Sequence, residues 1–246
     1  MPTLRIAFCA ALLAVAALST PAGAQFVAEY PEVQSAEAAR VRRRMMEDRQ
    51  LEQFALAMNG WLRMPRRIAV RMAECPTSDV RWVSEQRAVE ICYRMGTRVH
   101  NLLSADTLRE SFAPAMFFLQ LHAVAHGVID ELDLQVGGRE EQAVDELVAL
   151  LLMRFHDPSG VALRGITTLQ RADANWAQWD FAEGHGLTAA RIQNVACLVY
   201  GINARAYEPI RRAGLFPASR ASQCTTAGQR LLTVWGNRLG NRLRSR

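Results

Sequence analysis

The chain has 246 residues, half of them hydrophobic, with 29 basic against 24 acidic side chains and a formal net charge of +5. Every basic residue is an arginine and aromatics make up only 7% of the chain, so the cations are not interleaved with stacking rings as in a nucleic-acid-binding surface. The composition fits one globular domain with a sizeable core and a solvated arginine face, and it argues against a nucleic-acid partner.

Met1 to Ala24 has the make-up of a secretory signal peptide: Arg5, an apolar run from Ile6 to Leu18, and Ala22-Gly23-Ala24 immediately before Gln25. The run is too short to cross a bilayer as a helix. Cleavage after Ala24 removes 24 of 246 residues and leaves 222, with the charge falling by Arg5 alone to +4. No later segment reads as a transmembrane span. The expectation is a secreted or periplasmic protein with a signal peptide over 1–24 and one domain over 25–246, its core about 51–224.

From Ser35 to Trp61 the apolar residues Met46, Leu51, Phe54, Ala55 and Met58 recur at helical intervals, which predicts one amphipathic helix or a broken pair, ended by Pro65. Arg67 to Met72 and Ala88 to Tyr93 alternate as strands do, and Pro76, Ser78 and Asp79 supply turn chemistry between them, so an antiparallel hairpin is expected. Cysteine usage agrees with export. Cys9 leaves with the leader, and Cys75, Cys92, Cys197 and Cys224 allow two disulfides in three pairings. Cys75 with Cys92 and Cys197 with Cys224 are favoured, because each closes a local loop.

Phe117 to Leu152 reads as two apolar helices joined by a short glycine-containing loop. The first carries His122 and His126, an i,i+4 pair that turns both imidazoles toward one ion in the manner of a His-x-x-x-His zinc site. The second carries Glu141 and Asp145 at the same spacing, so that one carboxylate reaches the ion while the other orients a ligand histidine from behind. A helix with Leu147, Val148, Leu150, Leu151 and Leu152 is apolar nearly all round, and carboxylates buried on it need a cation. Asp157 to Gly160 break the chain, and Ala189 to Tyr200 form a further helix. His100 and His156 fall outside the pattern and read as surface or boundary residues.

These motifs in this order support a resemblance: a leader, Leu62-Arg63-x-Pro65-Arg66, Glu74-Cys75, Ile91-Cys92-Tyr93, HAVAHGVIDELDL from His122, GREEQAVDEL from Gly138, Cys197 and Tyr200-Gly201. The chain resembles an uncharacterised bacterial family of secreted zinc metallopeptidases, classed as a domain of unknown function, from about Leu51 to Cys224. The broader likeness is to gluzincins. The resemblance implies an α+β, mostly α, zincin-like metallopeptidase domain with a small antiparallel sheet before the His-x-x-x-His helix. It implies zinc held by His122, His126 and Glu141, with Asp145 behind a ligand imidazole and His185, in Glu183-Gly184-His185-Gly186-Leu187, as an oxyanion stabiliser. Its substrate or partner would be a peptide or protein.

The chain departs from that pattern at two positions. Ala123 stands where the H-E-x-x-H signature places the glutamate that serves as general base, and Gln142 stands where the family usually has aspartate after the double glutamate. A positioned general base contributes about 10²- to 10⁴-fold in rate. Asp130 and Glu131 lie a turn beyond His126, and Glu140 sits beside the expected ligand. The expected function is therefore a metallopeptidase-family protein with weak or no hydrolysis. The alternatives are a hydrolase using another base, such as Glu140 or a residue near His185, and a non-enzymatic envelope domain that binds a peptide or protein.

Overall fold

A four-stranded sheet is built from β1 (Phe26–Glu29), β2 (Ile68–Ala73), β3 (Val80–Val83) and β4 (Ala88–Cys92), in the spatial order β1-β2-β4-β3. The computed structural model describes residues 25–103, 105–137, 140–154, 160–173 and 186–244, with only the backbone at 105–109. The sheet is mixed. β1 with β2 and β2 with β4 are parallel, while β3 with β4 is antiparallel. The expected antiparallel hairpin of the second and fourth strands is thus corrected. Val80–Val83 (VRWV) is an intervening strand that reverses the chain once more, so β4 re-enters parallel to β2 and pairs as a hairpin with β3 instead.

Alternation divides the two faces of this sheet. Val70, Met72, Val80, Val89 and Ile91 are buried in the core. On the opposite face Arg71, Glu90 and Arg81 stand in register across three strands, and both guanidiniums bond the central carboxylate at 2.7 Å. Cys75 and Cys92 form a disulfide at the end of that face, and Cys197 and Cys224 form the second.

The rest is helical. α1 (Ala36–Glu47) begins at Ser35, whose hydroxyl accepts from the amide of Ala38. A left-handed Arg49, φ 52°, breaks it from α2 (Gln50–Trp61), so the segment is the broken pair. α3 (Tyr93–Leu102) leads to α4 (Ala105–Glu131), α5 (Glu140–Arg154) and α6 (Val161–Ala172). α7 (Ala189–Ile202), the short α8 (Glu208–Arg212) and α9 (Ala221–Leu239) complete the described residues.

α4 is the central helix. It packs on β3, β4, α5 and α6, while α7 packs on α5 and α9. The expectation that no later segment could span a bilayer is corrected here, because Glu110–Glu131, 22 residues long, contains an 18-residue stretch of mean hydropathy 1.4 and passes by length and composition. Two thirds of that stretch, 67%, is buried inside the fold. A helix wrapped by other elements on most sides is apolar nearly all round for that reason.

Candidate metal centre

His122 and His126 occupy the second half of α4, and an edge strand fixes that half in place. Gly127 follows His126, and a Cβ there would lie 2.7 Å from the ring of Trp82 on β3. Glycine is what allows the strand to lie this close. The Trp82 indole N–H then donates to Asp130 at 2.7 Å and the Ser84 hydroxyl donates to the same oxygen at 2.5 Å. Arg66 donates to Glu131 at 2.8 Å. Asp130 and Glu131, the two acids beyond the histidines, are thus both engaged in holding α4 to its surroundings.

The chain turns after α4 through a left-handed Asp133, φ 47°, and Gly137, φ 64°, before α5 begins with Glu140 and Glu141 in its first turn, where the exposed amide ends of a helix favour carboxylates. This places Glu141 against both histidines. Its Oε1 is 3.4 Å from Nε2 of His126 and its Oε2 is 3.9 Å from Nε2 of His122. One donor atom from each of His122, His126 and Glu141 lies within 4.8 Å of the others. Tetrahedral donors at about 2.0 to 2.1 Å from zinc are roughly 3.3 Å apart, so these separations are close to those of a ligand set. Cys75, Glu90 and Cys92 also lie together, but there the two sulfurs are joined to each other.

The hydrogen bonds around His126 test whether a cation fits. Its Nδ1 is 2.8 Å from Oε1 of Glu140. A carboxylate only accepts, so Nδ1 carries the hydrogen of that bond and Nε2 is the nitrogen on the other side of the ring. That Nε2 is buried with no hydrogen-bond partner among the described residues, and it faces a carboxylate oxygen. A positive charge at this point, a proton on Nε2 or a metal ion held by both atoms, would satisfy the carboxylate oxygen. The donor set of two imidazoles and a carboxylate is the chemistry zinc prefers.

Asp145 is not placed behind an imidazole. It is buried, and its two oxygens accept from Arg191 of α7 at 3.0 and 2.7 Å. Arg191 also reaches Oε2 of Glu141 at 2.6 Å. Burial pushes the Asp145 carboxyl up to about 6, with the paired guanidinium working against the rise. Burial likewise works against the Arg191 cation, but Asp145 and Glu141 hold it above its ordinary value. Glu140, not Asp145, is thus the carboxylate at the outer nitrogen of His126, and Asp145 pairs with the arginine that also reaches Glu141.

Arg191 is the residue that sequence reasoning missed. The available signal was an arginine in the first turn of an otherwise apolar helix, three residues after the Thr188 cap. Ala123 is buried, 1% exposed, with its methyl group in the core. His185 and His156 lie outside the described residues.

Residues 30–239 match the model of the DUF4344 family, whose description is "Putative metallopeptidase". No curated protein and no solved structure matches the chain. The match covers most of the chain, including both helices of the candidate centre, and on that footing the protein belongs to the DUF4344 metallopeptidase family.

Proposed function

We propose that this protein is an exported, zinc-binding member of its family whose peptidase activity is weak or lost. His122, His126 and Glu141 hold the ion, Glu140 fixes the His126 tautomer, and Arg191 with Asp145 fixes Glu141. A divalent cation bound there would supply Lewis acidity toward a peptide carbonyl and would acidify water. The general base that such a reaction needs is absent, since Ala123 offers no carboxylate beside His122.

The observation that carries this reading is the convergence of one donor atom from each of His122, His126 and Glu141 within 4.8 Å of one another, beside an alanine. Nearby acids offer no replacement base. Asp130 and Glu131 are held by Trp82, Ser84 and Arg66, and Glu140 is committed to the outer nitrogen of His126. The fold reading is a gluzincin-like zincin domain. Export is supported by the leader-like N-terminus and by two disulfides, which persist in oxidising compartments.

The test is hydrolysis of a mixed peptide library by the zinc-loaded wild type and by Ala123→Glu, each with and without chelator. The expected result is little or no cleavage by the wild type and chelator-sensitive cleavage by the variant. Robust, chelator-sensitive cleavage by the wild type would overturn the loss of activity.

A further inference from the structure

The positive charge of the chain is not spread evenly. Glu208 is the last acidic residue, and eight arginines follow it between Arg211 and Arg246, more than the whole excess of +5. Three of them, Arg220, Arg230 and Arg238, line a groove of about 550 Å³ between α5, α7 and α9. Charge gathered into one part of a chain points to an anionic partner.

The groove is amphipathic. On α9, Ala227, Leu231 and Val234 recur at helical spacing and form one apolar stripe, and Leu198 of α7 and Ala143 of α5 line the other walls. The two acids of the groove are already bonded. Asp145 accepts from Arg191 with both oxygens, and Glu146 accepts from the Trp235 indole N–H at 2.8 Å and the Gln142 amide at 3.2 Å. The arginines have no such match. Arg220 donates to the Asn194 side-chain oxygen at 3.1 Å, Arg238 lies over the Trp235 ring at 5.4 Å, and none of the three forms an ion pair among the described residues. With Asp145 neutralised by Arg191, Glu146 alone stands against three cations.

Spacing sets the kind of ligand. Along the helix axis Arg230 lies about 15 Å from Arg220 and about 12 Å from Arg238. A lone carboxylate or phosphate reaches only one of them, so an occupant that meets all three is elongated, with its anions separated by apolar groups. Nucleic acid carries its charges far more densely, and its bases need exposed rings to stack on, whereas Trp235 is buried. A peptide with acidic and apolar side chains interspersed matches both the stripe and the cations.

We propose that this groove is a docking site for an acidic amphipathic peptide segment of another protein, whose apolar side chains lie on the α9 stripe and whose carboxylates meet Arg220, Arg230 and Arg238. Binding there is independent of metal at His122, His126 and Glu141.

The test is fluorescence anisotropy with the full mature chain and a fluorescein-labelled peptide of four Glu-Ala-Leu-Glu repeats. The comparisons are the same peptide with Lys for Glu, the same peptide with Ser for Leu, a thymidine oligonucleotide, and phosphatidylglycerol vesicles in a sedimentation assay. The expected result is saturable one-to-one binding of the acidic peptide, weaker binding of the serine peptide, and none of the lysine peptide. Raising the salt from about 0.05 to 0.5 M should weaken the complex severalfold. An exposed ion pair contributes up to about fivefold, so Arg220→Gln, Arg230→Gln and Arg238→Gln combined should weaken binding at least about tenfold. Arg40→Gln, Arg43→Gln and Arg164→Gln combined remove the same charge from exposed positions outside the groove and should leave affinity within about twofold. Val234→Glu, which adds a carboxylate to the stripe, should weaken binding as well, and chelator should change nothing. The proposal is overturned by no saturable binding, by equal losses in the two triple variants, or by a serine peptide that binds as tightly. Tighter binding of the oligonucleotide or the vesicles would also overturn it, as would loss of the peptide on chelation, which would place it at the metal centre.

Discussion

Nδ1 of His126 lies 2.8 Å from Oε1 of Glu140, on the side of the ring away from Glu141. That contact puts a hydrogen on Nδ1 and leaves Nε2 on the side of Glu141. Removing such an orienting carboxylate typically costs 10- to 100-fold in metal affinity. Glu140→Gln should weaken zinc binding by about that factor in a competition titration with a chromophoric chelator, while His126→Ala abolishes it. An unchanged affinity in Glu140→Gln would mean that the carboxylate does not set the tautomer.

Arg191 is the counter-ion of Asp145 and Glu141 within a largely buried group. Deleting one member of a buried pair leaves an uncompensated charge and costs about 3–5 kcal/mol. Arg191→Met should show that loss in urea unfolding of chelator-treated protein, and the double change Arg191→Leu with Asp145→Leu should recover much of it. Zinc should narrow the gap between Arg191→Met and wild type, because the ion replaces part of the missing positive charge.

The sheet carries a separate pH dependence. Burial works to raise the Glu90 carboxyl, but the guanidiniums of Arg81 and Arg71 outweigh it and hold the group below its ordinary 4.5. A folded value below the unfolded one means that the contribution is present above pH 4.5 and is lost as pH falls through the folded value. Glu90→Gln should therefore lower stability at neutral pH and flatten the acid limb of the stability profile. A limb as steep as that of the wild type would assign the acid sensitivity to other carboxylates.

α7 and α9 approach closely at a pair of glycines next to the Cys197–Cys224 disulfide. A Cβ at Gly228 would lie 2.2 Å from the Gly201 carbonyl carbon, a contact that only helix separation relieves. Gly228→Ala should cost about 3 kcal/mol or more, lowering the melting temperature by about 6–12 °C in a chain of this size. A melting point within a degree of the wild type would show that the helices move apart freely.

The elements that bring the candidate centre together were legible because their signal is local. The i,i+4 spacing of His122 and His126 and the Glu140-Glu141 start of α5 each depend on a few consecutive residues, and the two disulfides join cysteines 17 and 27 positions apart. Strand order was not legible. The parallel pairing of β2 with β4 depends on whether Val80–Val83 forms a strand, and a four-residue run carries too little pattern to decide this alone. The role of Asp145 was misread for a similar reason. Its partner Arg191 is 46 residues away, so the spacing that suggested an imidazole contact said nothing of a nearer cation. Glu140 was weighed as a substitute base, whereas it bonds the outer nitrogen of His126.

The most direct test of the central claim is the metal content of the purified mature protein by elemental analysis, after zinc reconstitution, with His122→Ala and Glu141→Ala measured beside the wild type. The account predicts one zinc per wild-type chain and none in either variant. Wild-type protein that is folded yet holds no zinc, or variants that keep it, would contradict a centre built from His122, His126 and Glu141.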